Sequence, residues 1–103
     1  GNSLIVTCTY RSPEEQARLF KQGRFGNPGQ IVTHCDGTQK KSQHNFFPSR
    51  AVDVCVCSGG KILWDEKYYY PIGPLAKKHS LEWGGFWTKF ADFPHLELPK
   101  DVN

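Results

Sequence analysis

The alternation of apolar and polar positions predicts a central strand in the middle of the chain. Between positions 51 and 57 the three valines fall on one face, and the other four residues, Asp53 among them, fall on the opposite face. Side chains alternate across a β-strand, so the valine face is expected to lie on the core. The sequence Ser58-Gly59-Gly60 is typical of a turn and predicts a hairpin with residues 61–64.

The first half of the chain predicts a strand, a helix and a short second strand. Residues 4–9 have a β-rich composition, and a serine that can act as N-cap opens a predicted helix over residues 12–22. Ala17 and Phe20 are expected on the buried side of this helix. The apolar residues 31–33, which follow a glycine-rich loop, predict a short strand.

The second half of the chain predicts one more helix and a last strand. A helix over residues 71–79 would direct three apolar side chains towards the core, those of Ile72, Leu75 and Ala76. Residues 94–98 alternate, with His95 and Glu97 on one face and two leucines on the other. Strands and helices are mixed along the chain, which predicts an α+β fold with a mainly antiparallel sheet flanked by helices.

Length and composition are those of a small folded domain. With 103 residues, 38% of them hydrophobic, residues 1–103 are expected to form a single domain, and we expect it to be a monomer. The net charge of +3 is too small to argue for nucleic acid as a partner. No apolar run approaches the roughly 18 residues of a membrane span, so no membrane insertion is expected. No signal peptide is visible, which predicts synthesis in the cytoplasm.

The four cysteines are open to three interpretations. Cys55 and Cys57 share one face of the predicted central strand, where two cysteines do not normally bridge each other. Two disulfides would make the chain a small secreted domain without a metal, whereas Cys35, Cys55 and Cys57 with His34 would make a structural zinc site. We favour buried thiols, because the spacing lacks the density of a disulfide-rich mini-protein.

Two histidines and two aspartates form the candidate chemical group. His44 precedes Asp53 by nine positions, and His95 follows Asp92 by three. The side chains of His44, Asp53 and His95 match a catalytic zinc set, which has three protein ligands and one position for water. Asp92 would then be the carboxylate that transfers protons, with Glu97 as the alternative. The other interpretations are a turn-capping His44, a salt-bridged Asp53, an Asp92 that only forms a turn and a His95 that is an ordinary strand residue.

Five short motifs follow one another along nearly the whole chain. They are Thr9-Tyr10-Arg11-Ser12 with Glu15-Gln16, Ser42-x-His44-Asn45, Ala51-Val52-Asp53, Glu82-Trp83-Gly84-Gly85, and Asp92-x-Pro94-His95. In this order they resemble the zinc D-Ala-D-Ala carboxypeptidase (VanY-like) family, specifically its phage endolysin branch of L-alanyl-D-glutamate peptidases. The chain departs from the commoner family form in a longer loop between His44 and Asp53, which borders the expected metal and bears on substrate preference.

The resemblance implies a compact α+β fold of the hedgehog/DD-peptidase type, with Zn2+ held by His44, Asp53 and His95. It further implies that Asp92 is the general acid/base and that Arg11 binds and polarises the scissile carbonyl. The implied substrate is the peptide stem of bacterial peptidoglycan, cut between L-Ala and D-Glu. A phage endolysin of this kind would be made in the host cytoplasm and would act on the cell wall in the periplasm.

Several points stay open after the resemblance is taken into account. Ser42, Trp83 and Trp87 are candidate substrate contacts, although the two tryptophans are equally compatible with core packing. A D-Ala-D-Ala carboxypeptidase would use the same metal centre and is the first alternative. A zinc-stabilised module that binds cell-wall peptide without cutting it is the second, and it would not need Asp92 or Arg11.

Overall fold

The computed structural model describes residues 2–99, within which there are five strands and two α-helices. The strands are β1 (Ser3–Cys8), β2 (Ala51–Ser58), β3 (Lys61–Leu63), β4 (Glu82–Trp83) and β5 (His95–Glu97), and the helices are α1 (Pro13–Lys21) and α2 (Ile72–Lys78). Contacts between Cα atoms divide these residues into two units: a sheet unit of residues 2–9 and 51–99, and a helix–loop unit of residues 10–50. The single domain expected over 1–103 stays a prediction.

Strand β2 is the centre of the sheet, as its alternating sequence predicts. It pairs with β1, β3 and β5, and β4 extends the sheet from β5. All these pairings are antiparallel, which confirms the α+β fold with a mainly antiparallel sheet. Gly59 and Gly60 both have positive φ and close the predicted hairpin between β2 and β3, a turn that side chains with a Cβ would strain.

The valine face of β2 carries the core of the sheet unit. Val54 and Val56 are buried in one cluster with side chains from α2, β4, β5 and the turn before α2, namely Tyr69, Ile72, Ala76, Trp83 and Leu96. Burying an apolar side chain of this kind contributes about 1.5–3 kcal/mol, so the cluster holds the helix on the sheet. Because the valines occupy this face, Asp53 lies on the other face, where it is half-buried.

Helix α2 forms where it is predicted but presents a narrower buried side than expected. Ile72, Gly73 and Ala76 are buried, whereas Leu75 is 50% exposed, so its predicted place in the core is wrong. The helix packs closely at Gly73, where a β-carbon would lie 2.9 Å from the Phe86 ring, so its buried side is the one that carries positions 72, 73 and 76. Position 75 lies outside that arc of the helix.

The cysteines are thiols in this structure. None of the four forms a disulfide, and Cys55 and Cys57 are buried while Cys8 and Cys35 are half-buried. The sulfur atoms of Cys55 and Cys57 lie 3.9 Å apart on one face of β2, as the alternation predicts. Burial and the neighbouring Cys55 raise the pKa of the Cys57 thiol. Among residues 2–99, neither of these two thiols belongs to a group of donors that could hold a metal.

Helix α1 of the helix–loop unit begins as predicted and buries a polar residue. The Ser12 hydroxyl oxygen accepts a hydrogen bond from the Glu15 N–H at 3.1 Å, which caps the first turn. The fully buried position of the helix is Gln16, while the expected apolar pair, Ala17 and Phe20, is only half-buried. The apolar pattern of a nine-residue helix therefore indicated the packed side only approximately.

The short strand predicted over residues 31–33 is absent, and this segment is irregular. Strands need a neighbour to satisfy their backbone, and here side chains do so instead. The Gln22 side chain donates to the Gln30 carbonyl at 2.8 Å, and Arg24 Nη1 donates to the Thr33 carbonyl at 3.0 Å.

Candidate metal centre

The pairing of β2 with β5 places Asp53 beside His95. The two residues are Cα partners in the antiparallel register, so their side chains stand on the same face of the sheet. His95 Nδ1 lies 3.1 Å from Asp53 Oδ1, and the side chains of His95 and Asp53 are 6% and 21% exposed. The pair is thus fixed by two strands, with the imidazole buried and the carboxylate half-buried.

Asp92 reaches the same histidine from the turn before β5. Asp92 Oδ2 lies 4.0 Å from His95 Nδ1, and the Asp92 carbonyl accepts a hydrogen bond from the His95 N–H at 3.2 Å. Its side chain is 44% exposed, about twice the exposed fraction of Asp53. Asp92 is therefore the carboxylate of this group that faces solvent.

The turn that carries Asp92 is held by Gly84. The Asp92 N–H donates to the Gly84 carbonyl at 3.0 Å, and a β-carbon at position 84 would lie 2.2 Å from the Asp92 carbonyl oxygen. No side chain fits at that distance, so the glycine is a condition for the position of Asp92.

Glu97 contacts the other nitrogen of the His95 ring. Glu97 Oε1 lies 2.7 Å from His95 Nε2, and the Glu97 side chain is 10% exposed. The sequence places both side chains on one face of the last strand, which the structure confirms. The contact itself depends on side-chain rotation and could not be obtained from the alternation.

The charges around His95 change its basicity. Burial lowers the pKa of His95. This effect is outweighed by hydrogen bonds to Asp53 and Glu97 and by the negative charges of Asp53 and Asp92, so that the pKa is raised from 6.5 to about 9. Three carboxylates around one imidazole therefore stabilise the imidazolium form in the absence of a metal.

The donor atoms of Asp53, Asp92 and His95 lie close enough to hold one metal ion. One ligand atom from each of the three lies within 4.8 Å of the other two. Carboxylate oxygen and imidazole nitrogen are donors that zinc accepts. The cluster of negative charge suits a divalent cation, so the residues present in the sheet unit fit a metal of this class.

In the helix–loop unit, the predicted ligand His44 lies in a 3-10 helix that Ser42 begins. The Ser42 hydroxyl oxygen accepts from the His44 N–H at 3.2 Å, and the Ser42 N–H donates to Asn45 Oδ1 at 2.8 Å, which completes a capping box. His44 is 2% exposed. The Ser-x-His-Asn motif thus acts locally as a capped turn that fixes the backbone of the histidine.

Arg11 and His44 belong to one hydrogen-bonded arrangement inside the same unit. The Arg11 N–H donates to the His44 carbonyl at 2.8 Å, and Asn45 Nδ2 donates to the Arg11 carbonyl at 2.9 Å. Arg11 Nη1 donates to the side-chain oxygen of the fully buried Gln16 at 2.9 Å. Gln16 Nε2 in turn donates to the hydroxyl of Thr33 and the carbonyl of Cys35.

Gln16 was not predicted from the sequence as a partner of the candidate site residue Arg11. It belongs to the first of the five motifs, but a polar residue on a helix is usually taken as solvent-exposed. Its complete burial and its contact with Arg11 indicate that it orients the guanidinium group.

The two candidate tryptophans have different surroundings. Trp83 is 4% exposed, and its ring N–H donates to the Phe93 carbonyl at 2.7 Å, so it is a core residue. Trp87 is 36% exposed, and its ring centre lies 5.2 Å from that of His95. Of the two, Trp87 is the one beside the donor group.

A family model described as D-alanyl-D-alanine carboxypeptidase matches residues 36–98. The chain belongs to this peptidase family. Membership confirms the resemblance seen in the motifs, and the matched segment includes His44, Asp53, Asp92 and His95, while Arg11 lies before it.

Two known proteins are similar to this chain over most of its length. The chain is 36% identical over 108 aligned positions to the peptidoglycan L-alanyl-D-glutamate endopeptidase CwlK of Bacillus subtilis strain 168, an alignment that covers 95% of the chain and 62% of CwlK. The crystal structure of the Serratia marcescens L-Ala D-Glu endopeptidase ChiX matches with a TM-score of 0.69 at 24% identity, covering 93% of the chain and 66% of ChiX. The ChiX match confirms the peptidase fold. The chain thus spans just under two thirds of either relative.

Among residues 2–99, no helix is long and apolar enough to cross a lipid bilayer.

Proposed function

We propose that this chain is a zinc-dependent peptidase that hydrolyses the bond between L-Ala and D-Glu in the peptide stem of bacterial peptidoglycan. The observation that carries the proposal is the donor group of Asp53, Asp92 and His95, within 4.8 Å of one another. The chain that carries this group belongs to a peptidase family and is 36% identical to CwlK, an endopeptidase of this specificity.

The proposed zinc ligands are His44, Asp53 and His95. The distance of 3.1 Å between the side chains of Asp53 and His95 supports two of them, and the family motif supports His44. Zinc at this site would supply Lewis-acid activation of a water molecule and of the peptide carbonyl. Asp53 and His95 are held by paired strands, which suits a site that must keep its geometry.

Asp92 is the proposed general acid/base. It lies near His95 but farther from it than Asp53 does, and its carboxylate is the most exposed of the group. It can therefore accept a proton from the attacking water and deliver it to the leaving amine. A module that only binds peptide would not need a solvent-facing carboxylate at this place, which favours the enzyme.

Arg11, Ser42 and Trp87 complete the proposed set. The guanidinium of Arg11, oriented by Gln16, would bind the scissile carbonyl and stabilise the charge that develops on its oxygen. Trp87 would contact the peptide stem from its position beside His95. Ser42, a candidate substrate contact, already caps the turn of His44, so its main contribution would be to that histidine.

A D-Ala-D-Ala carboxypeptidase is the second candidate, because the matching family model carries that description. Both activities would use the same metal centre, and the bond that is cut would differ. We further propose that the protein is a monomeric phage endolysin that acts on the bacterial cell wall. The resemblance to the endolysin branch and the peptidoglycan specificity of CwlK support this assignment.

The test is digestion of purified peptidoglycan by the purified protein, with and without a zinc chelator. Mass spectrometry of the products should show a new D-Glu amino group that the chelator abolishes. Release of D-Ala would establish the carboxypeptidase instead. The Asp92→Asn variant should retain zinc and lose cleavage, whereas Glu82→Gln, an exposed change on β4, should cleave normally. Zinc binding without any cleavage would refute the enzyme.

A further inference from the structure

We propose that Glu97 is a positioning residue for the metal centre: its carboxylate accepts the Nε2–H of His95 and so presents Nδ1 to the metal. The inference rests on the proposed zinc-peptidase function and adds a residue to which that function assigns no role.

The two nitrogens of the His95 ring face different groups. Nδ1 lies 3.1 Å from Asp53 and 4.0 Å from Asp92, the two carboxylates of the donor group. Nε2 lies 2.7 Å from Glu97. A metal held with Asp53 or Asp92 would therefore meet Nδ1, and a neutral imidazole that binds through Nδ1 carries its proton on Nε2. Glu97 is placed to accept that proton in a hydrogen bond.

The sheet explains why a carboxylate can stand at this position. Glu97 is the Cα partner of Ala51 on β2, just as His95 is the partner of Asp53. Two positions apart on one strand, Glu97 and His95 point to the same face of the sheet, and there the Glu97 carboxylate reaches Nε2 of the imidazole. Buried carboxylates are costly unless they accept hydrogen bonds, and the contact with Nε2 provides one.

Glu97 and Asp92 differ in solvent exposure, and this difference indicates different roles for the two carboxylates. The Glu97 side chain is 10% exposed, whereas that of Asp92 is 44% exposed. A carboxylate that exchanges protons with substrate needs access to it, and one that orients a ligand does not. Carboxylates that hold a metal-bound histidine in this way raise its basicity and fix its orientation, and their loss costs about 10–100-fold in metal affinity or activity.

The experiment compares the full chain with Glu97→Ala, Glu97→Gln and the matched control Glu82→Gln, whose residue is the partner of Glu97 on β4 and is exposed. Zinc affinity is measured by competition with a chromophoric chelator. We expect Glu97→Ala to weaken zinc binding about 10–100-fold. Glu97→Gln should weaken it less, because an amide oxygen still accepts the Nε2–H, and Glu82→Gln should leave it unchanged.

A second readout follows the histidine ring by 15N NMR of the zinc-loaded proteins. The wild type should show His95 bound through Nδ1, with an Nε2–H signal protected from exchange. The signal should lose this protection in Glu97→Ala and move upfield in Glu97→Gln, because a neutral acceptor makes a weaker hydrogen bond. A role in folding alone would lower the melting temperature of the metal-free variants and leave zinc affinity and the Nε2–H signal unaltered.

The outcomes separate this inference from the function on which it rests. A wild-type protein that binds no zinc would overturn both. Wild-type zinc binding with unchanged affinity in the Glu97 variants, or zinc bound through Nε2, would overturn only the positioning role. If Glu97→Ala does not fold, Glu97→Gln decides: an unmoved Nε2–H signal refutes the proposal.

Discussion

Asp92 packs against Gly84 so closely that a β-carbon on residue 84 would lie 2.2 Å from the Asp92 carbonyl oxygen. The same two residues share a backbone hydrogen bond of 3.0 Å. Gly84 therefore sets the position of the proposed general acid/base.

Replacing Gly84 by alanine should displace Asp92. The backbone has to move because a β-carbon at 2.2 Å overlaps the carbonyl oxygen, and overpacking of this kind costs typically about 1–3 kcal/mol. We expect peptidoglycan cleavage to fall at least about tenfold, which a loss of about 1.4 kcal/mol of transition-state stabilisation would produce. Product release is followed by mass spectrometry, and zinc content by atomic absorption.

The control for this change is Gly26→Ala. Gly26 has a φ of 79° and no atom near the site of a new β-carbon, so alanine there adds backbone strain without a clash. Its stability should fall by about 1 kcal/mol while cleavage persists. Equal losses of activity in both variants would show that Gly84 has no particular relation to Asp92.

Replacing Gln16 by leucine should destabilise the helix–loop unit and disorient Arg11. The buried amide contacts Arg11, Thr33 and Cys35, and a buried polar group left without its partner costs about 1–3 kcal/mol. Denaturant unfolding should show a loss of this size, and cleavage should fall further through kcat. Gln39→Leu, at an exposed position, should change neither quantity. A Gln16→Leu protein with normal cleavage would disprove the link to Arg11.

Removing the metal should lower the thermal stability of the protein. An ion that binds only the folded state stabilises it by about 2.7 kcal/mol at a concentration 100 times its Kd. The melting temperature should therefore rise with added zinc and fall with chelator. Asp53→Asn should abolish the dependence, whereas Asp65→Asn, in an exposed turn, should retain it. If added zinc and chelator leave the melting temperature of the wild type unchanged, the result would argue against a metal site.

In the metal-free protein His95 should titrate well above an ordinary histidine. Its pKa is raised from 6.5 to about 9, so its charged form stabilises the fold fully below pH 6.5 and this contribution is lost as the pH rises through about 9. NMR titration of the ring measures the value directly. Asp53→Asn should lower it, since that carboxylate both accepts a hydrogen bond and supplies negative charge. A His95 that titrates at or below 6.5 would contradict the geometry around Nδ1.

The site could be anticipated to different degrees at different residues. Asp53 and His95 follow from strand alternation and motif, and the structure places their side chains 3.1 Å apart. Asp92 follows from its offset of three positions, although its exposure does not. Gln16 and the Glu97 contact escaped the sequence argument, because both depend on what another segment puts next to them. The metal roles of His44, Asp53 and His95 and the acid/base role of Asp92 stay predictions.

The sequence by itself determined the features that are local. Alternation over residues 51–57 assigned the valine face to the core, Ser12 marked the start of α1, and the order of the motifs identified the peptidase family. These features could be predicted because strand alternation, helix capping and motif spacing each depend on residues that are close together in the chain.

Tertiary structure decided what depends on partners distant in the chain. Residues 31–33 have the composition of a strand, but side chains donate hydrogen bonds to the carbonyls of Gln30 and Thr33, and no strand forms there. Leu75 has the period of a core position, but the helix packs through the side that carries Gly73, and Leu75 is exposed. Pairing, close packing and the direction of a buried carboxylate such as Glu97 are properties of two segments together, and neither segment encodes them alone.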